Sequence, residues 1–426
     1  MAKISIFIGA HLCTAPRPQK EAQTLAAAGH TVTVYGIWFD AQLAERDRQL
    51  MPTLPYRFEP ILDFRPQSTS RWQRFGVRLQ ARLAREGFRR WQLFSPALLG
   101  YGARAMLRRA LQDRADLSIM HSEAGLWAGS QLLKHGLRVG VDFEDWFSED
   151  LLPSAQQTRP LTQLRQLEQT LAQRCTYALT TSQVMADALA AAYQAPPPAV
   201  VYNVFPKTDA VTPSSTPRHQ PPSLHWFSHT IGPGRGLETL FAALPHVELP
   251  VTIALRGNYP DSSRRWMEPL IPEEWRSRIT IYPLVSNAEL PLRIAEHDIG
   301  LALEIPFCRS RQYTVTNKLF QYLQGGLAVI ATQTDGQQEA LSQAPDAGTL
   351  IPADDPAALA QAINAYARQP DRLAAAQQAA YHAAQARLCW ETQADTLLSV
   401  LDRALTQPDS LRSPLPPATE TMQYAP

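Results

Sequence analysis

The sequence predicts an α/β protein of two parallel-sheet domains, and three observations carry that prediction. Short apolar runs of strand length alternate with segments of helical spacing along both halves of the chain, the pattern of parallel sheets covered on both faces. At 426 residues the chain exceeds one ordinary core and suits two domains of about 200 residues each. Between Lys207 and Pro222 the composition shifts to Pro, Ser and Thr without apolar periodicity, which marks a linker. The expected boundaries are 1–206 for the first domain, 207–222 for the linker, 223–390 for the second domain and 391–406 for a terminal helix. The Pro-rich tail, 407–426, is expected to be disordered.

In the first half the strand candidates are Ile4 to Ile8, Thr31 to Tyr35, Leu117 to Met120, Val139 to Val141, Ala178 to Thr181 and Val200 to Tyr202. A helix from Lys20 ends at Gly29. Ser70 to Trp91 is a long helical segment with two stripes: Arg71, Arg74, Arg78, Arg82, Arg85 and Arg89 recur at spacings of three or four, beside Trp72, Phe75, Leu79 and Leu83. Two readings are open. The segment lies on an anionic membrane surface, or its apolar stripe packs on the core and its arginines are merely solvated. His121 follows a strand, and Asp142, Glu144 and Asp145 cluster at the end of another, where ligands of open α/β sheets sit. A carboxylate there could accept a hydroxyl proton or fix an acceptor; solvated loop carboxylates are the alternative.

The second half repeats the alternation at Leu224 to Phe227, Val251 to Leu255, Ile279 to Tyr282, Ile299 to Leu303, Ala328 to Ala331 and Thr349 to Ile351, so both halves are Rossmann-like by class. Ser223 to Leu240 runs from a strand through a loop holding Gly232, Gly234, Arg235 and Gly236 into a helix. Glycines allow close backbone approach and a guanidinium supplies paired charge-assisted contacts, a combination suited to a pyrophosphate. The loop matches neither the Walker pattern nor GxGxxG. Thr316 to Thr332 joins a second helix, with Leu319, Tyr322 and Leu323 at helical spacing, to a buried strand through Gly325 and Gly326. Thr314 and Thr316 are N-cap residue types, and the amides of the first turn could seat an anion; an ordinary helix–strand junction is the alternative.

Composition narrows the class. Hydrophobic residues at 45% and charged residues at 19% describe a globular chain, and a net charge of +1 gives no bias toward nucleic acid. There is no apolar run long enough to span a membrane and no cleavable leader pattern, so cytoplasmic residence is expected. Cys13, Cys175, Cys308 and Cys389 are far apart, without the spacing of a zinc site or a disulfide framework.

The two glycine-bearing segments, in their order, resemble the nucleotide-sugar half of the family four glycosyltransferases. Ala15-Pro16-Arg17-Pro18, Lys20 to Gly36, Ile119 to Gly125, Val141 to Asp150, Tyr177 to Leu189, Val200 to Pro206 and Cys389 to Glu391 are similar to further landmarks of that family, again in order. The resemblance implies the GT-B fold, two Rossmann-like domains facing a central cleft, with the terminal helix crossing back to the first domain. It also implies transfer of a sugar, of hexosyl type and with retention, from a nucleoside-diphosphate-sugar donor to an acceptor hydroxyl in cell-surface glycan or polysaccharide synthesis. A glycan or lipid-linked acceptor follows as partner; the basic amphipathic segment 71–91 adds peripheral contact with an anionic membrane surface at the inner face as an expectation, and the net charge of +1 adds no nucleic acid.

By the same resemblance Gly232, Gly234, Arg235, Gly236, Thr316, Asn317, Lys318 and Gln321 bind the donor and His121 faces the donor sugar; Asp142, Asp145 and Glu304, by their strand-end placement, are the further catalytic candidates. No cofactor is expected, and a metal-free reaction is expected because no DxD-type dyad stands in a suitable strand-end setting. The sequence departs from the family at one place. Two glutamates separated by seven residues are common there, and Tyr313 and Gln321 hold those positions here. Gln321 retains hydrogen bonding to ribose without the charge, and Glu304, at the end of the Ile299 to Leu303 strand, either enters the vacancy at Tyr313 or is a plain surface glutamate. A nucleotide-sugar epimerase of the same fold and a catalytically silent donor-binding protein are the alternatives.

Overall fold

The computed structural model describes residues 1–65, 71–152, 156, 158–212 and 219–406. The expected disordered tail 407–426 and the centre of the expected linker, 213–218, lie outside the described residues, as do the side chains of Arg71 and Arg74. The chain divides into two units. The first comprises Met1–Thr180, Ala186–Ala199 and the chain from Thr396, and the second comprises Thr181–Met185 and Val200–Asp395.

In the first unit β1 (Lys3–Phe7), β2 (Thr31–Trp38), β3 (Arg57–Asp63), β4 (Leu117–Met120), β5 (Val139–Phe143), β6 (Tyr177–Thr180) and β7 (Ala199–Val200) form one sheet in the order β3-β2-β1-β4-β5-β6-β7. Every residue of β4 and β5 is buried, as a strand covered on both faces requires. The β3 strand was not expected from sequence. Its Pro60 has no N–H for a ladder, which is tolerated because β3 is an edge strand; the register against β2 shifts just beyond the Gly36–Pro60 pair.

The second unit holds β8 (Ser223–Thr230), β9 (Thr252–Asn258), β10 (Ile279–Tyr282), β11 (Ile299–Ala302), β12 (Ala328–Thr332) and β13 (Gly348–Ile351), in the order β10-β9-β8-β11-β12-β13. Its paired strands are parallel. Alternate residues serve opposite faces. Along β12, Ala328 and Ile330 join a core with Trp226, Phe241 and Leu255, whereas Val329 and Ala331 join one with Phe320, Tyr322 and Leu341.

The described part of the stretch read as a linker groups with the second unit. Its backbone groups are satisfied there by long-range partners that a sequence pattern does not show: the Lys207 amide donates to the Glu391 carboxylate (3.1 Å) and the Val211 amide to the Gln324 carbonyl (3.0 Å). The terminal helix, Trp390–Thr406, starts in the second unit and from Thr396 onward belongs to the first.

Candidate functional site

In each sheet the strand order reverses between two central strands, β1 and β4 in the first unit and β8 and β11 in the second. Ligands of open α/β sheets bind at the carboxyl ends of such strands. The candidate residues gather at both places.

In the second unit the loop after β8 returns against the end of β11. A Cβ on Gly236 would lie 2.3 Å from the Leu303 carbonyl oxygen, and its φ is +78°, so this turn accepts only glycine. The indole Nε1 of Trp226 donates to the Arg235 carbonyl (3.2 Å), while the exposed Arg235 side chain donates to Ser228 Oγ (3.0 Å). The Gly234 amide, expected to face a phosphate, instead donates to Glu238 Oε1 at 2.8 Å. Gly232 has open space around its Cα.

Opposite the loop, the Asn317–Gln324 helix begins at Thr316, whose backbone is extended as an N-cap should be. Thr316 does not cap the helix with its side chain: its Oγ1 is buried without a partner, and although the Leu319 amide donates to the Thr316 carbonyl (3.2 Å), the Asn317 and Lys318 amides are left to an outside acceptor. Asn317 Oδ1 accepts from Asn203 (2.9 Å). Lys318 Nζ meets Glu304 Oε1 at 2.5 Å and stands 5.8 Å over the Trp226 ring.

Burial pushes the Glu304 carboxyl up, but the charges of Lys318, Arg311 and Arg235 hold it below the usual carboxylate range. Glu304 is thus an ionised counter-ion among three cations. It sits in a small cleft with Gly236, Leu303, Thr332 and Ile351 at the carboxyl ends of β11, β12 and β13. Gln321 is buried in the second turn of the helix. The Tyr313 carbonyl accepts from Ser182 Oγ (2.7 Å).

In the first unit Arg17 and Glu21, four apart and so on one face of the Pro16–Ala27 helix, reach the ends of β4 and β5. Arg17 grips Asp142 with two hydrogen bonds, 2.6 and 3.0 Å. His121 Nε2 lies 2.9 Å from Glu21 and Nδ1 lies 2.7 Å from Glu144. Burial opposes charge on the imidazole, yet Glu144 and Glu21 raise its pKa to about 10. Burial likewise raises Glu21, whereas His121, Arg17 and Lys20 bring Glu144 below its ordinary value.

This geometry bears on two of the expected catalytic residues. An imidazolium with both N–H groups engaged takes no proton and offers no free donor, and His121, 3% exposed, is held in that way between Glu21 and Glu144. Asp142, 1% exposed and held by a guanidinium, is a counter-ion and not an accessible base. The carboxylate of the cluster that reaches solvent is Glu144, whose side chain is 33% exposed. Asp145 is half-buried beyond β5. Glu21, His121 and Asp142 offer ligand atoms within 4.8 Å of one another, but Arg17 and the imidazolium already supply the positive charge there. Arg17, Glu21, Ser228, Glu238 and Arg311 received no site role from sequence; the spacing of Arg17 and Glu21 was the available signal.

Two Rossmann-type units of this construction define an α/β protein of the GT-B fold. Residues 235–399 match a family described as glycosyl transferase-like. The chain is similar in structure to HepE of Anabaena in complex with UDP-glucose, at 15% identity and a TM-score of 0.67 over 94% of this chain and all of that one. It is similar to TarM of S. aureus bound to Fondaparinux, alpha-GlcNAc-glycerol and UDP, at 7% identity and a TM-score of 0.67, covering 96% and 100% of the two chains. A putative UDP-N-acetylglucosamine 2-epimerase from Listeria monocytogenes shares the fold at 11% identity and a TM-score of 0.57, over 94% of this chain and 95% of that one. No curated protein matches the sequence.

Proposed function

We propose that the protein is a glycosyltransferase that moves a sugar from a nucleoside-diphosphate-sugar donor to an acceptor hydroxyl. The observation that carries the reading is the gathering of Lys318, Arg311 and Arg235 around Glu304, beside an uncapped helix start and the Gly236 turn. In the reaction the bond between the anomeric carbon and the diphosphate oxygen breaks, the acceptor oxygen takes the carbon, and the acceptor proton departs. Arg235, Lys318 and the amides at Asn317 and Lys318 stabilise the negative charge that develops on the diphosphate, so no metal is required for that task. Glu304, by holding Lys318, positions that charge.

The resemblance to family four supports a hexosyl donor, retention at the anomeric carbon and a role in cell-surface polysaccharide synthesis. It also supports a glycan or lipid-linked acceptor, the latter met at the cytoplasmic face of a membrane. A thermal-shift panel of nucleoside diphosphates and nucleotide sugars tests donor binding, because a ligand specific to the folded state raises the melting temperature. Incubating the stabilising donor with and without acceptors tests transfer. Diphosphate release that requires an acceptor is the expected result; an isomerised sugar formed without acceptor establishes epimerisation instead, and a bound donor never consumed establishes a binding protein.

A further inference from the structure

The Arg71–Trp91 helix presents two apolar faces, and the protein covers one of them. Successive helical residues turn by about 100°, which places Ala81 and Phe88 together on one side and Trp72, Phe75, Leu79 and Leu83 on the opposite side. Ala81 and Phe88 are 3% and 6% exposed, whereas the other four are 86%, 61%, 43% and 63% exposed. The apolar stripe seen in the sequence therefore does not pack on the core. It forms a ridge facing solvent.

Both margins of the ridge are basic. On one flank Arg78, Arg82 and Arg85 are exposed and have no ion pair among the described residues; Glu86 is engaged by Arg89 and Arg90. On the other flank Val77 and Gln80 border a cavity of about 430 Å³ whose far wall carries Arg104 and Arg108. These two are also exposed and without an ion pair among the described residues, while Arg109 beside them is committed to Glu59 at 2.9 Å. Five uncompensated guanidinium groups thus surround an uncovered apolar ridge on a chain whose net charge is +1.

We infer that this face docks on a bilayer rich in anionic lipids, with the ridge entering the acyl boundary, the arginines at headgroup depth and a lipid phosphate in the Arg104–Arg108 cavity. The charge selects this occupant. A second copy of the same face would bring five cations against five, and a nucleic acid offers nothing to Leu79 and Leu83. A bilayer satisfies both the ridge and its margins. The inference supplies a surface for the membrane location proposed above and stands whether or not the transfer reading does.

The test is flotation of the full chain with vesicles of phosphatidylcholine alone or with about one third phosphatidylglycerol. Three variants are compared: Arg78→Gln with Arg82→Gln and Arg85→Gln; Leu79→Gln with Leu83→Gln; and Arg104→Gln with Arg108→Gln. All alter exposed side chains or cavity-wall arginines, so unchanged melting temperatures show that they fold. The parent is expected to float with anionic vesicles and not with neutral ones. Partition should fall about a hundredfold in the triple arginine variant and about thirtyfold in the Arg104 and Arg108 variant. It should also fall in the leucine variant, whose charge is unchanged. Failure of the parent to float with anionic vesicles at low salt overturns the inference. So does retention of a DNA duplex without flotation, or a lipid-free dimer that the leucine variant dissociates.

Discussion

His121 should stay protonated well into the alkaline range, and the stability of the first unit should record it. An imidazole that titrates at 6.5 in the unfolded chain and at about 10 in the folded one keeps an extra proton in the native state between those values. Its contribution is complete below pH 6.5 and is lost as the pH rises toward 10. Each pH unit in that window removes up to about 1.4 kcal/mol, or on the order of 5 kcal/mol across it, comparable with the whole stability of many domains. Glu21 and Glu144 share the titration, so the proton belongs to the cluster. His121→Asn removes it, and leaves Glu21 buried beside Asp142 with one cation fewer. Urea unfolding between pH 6 and 10 should show a steep loss in the parent and a flatter, lower curve in the variant. The imidazole signal absent from the variant's NMR spectrum identifies His121 directly. A ring titrating near 6.5, or an unchanged slope in His121→Asn, refutes the proposed cluster charge.

Three further outcomes follow from the second unit. Arg235→Ala should lower turnover by about a hundred to a thousandfold, or roughly 3–4 kcal/mol, without changing the melting temperature, because the side chain is exposed; steady-state kinetics and nucleoside-diphosphate titration check it. Gly236→Ala should cost about 1–2 kcal/mol from its left-handed backbone and more from the Leu303 carbonyl, and abolish the diphosphate-induced thermal shift. Gly232→Ala, with open space at its Cα, should stay within about 0.5 kcal/mol of the parent in chemical denaturation.

The sheets were legible because both are buried on two faces and their strands are short apolar runs, as at Leu117–Met120 and Ala328–Thr332. Pro60 hid β3, since proline argues against a strand unless its edge position is known. Residue types at the turn after β8 and at the helix start were readable too: Gly236 and Thr316 stand at the chain turns expected of them. Partners were not. Arg17 meets Asp142 across 125 positions of sequence and His121 meets Glu21 across 100, and local spacing carries no record of such pairings. The same gap made Gly234 look available, although the fold turns Glu238 back onto its amide.

The Trp390–Thr406 helix makes the second half of the gene responsible for part of the first unit's core. Leu397 and Leu401, 1% and 0% exposed, are translated after the whole of the second unit's sheet. During synthesis the first unit consequently has all its strands long before it has these helical turns, and it completes its packing only after the strands of the second unit have been made. A cassette exchange between relatives that breaks the gene once, near Val200, pairs an amino-terminal sheet with a foreign carboxyl-terminal helix. Two breakpoints, the second close to Asp395, keep each core with the residues that evolved to fill it.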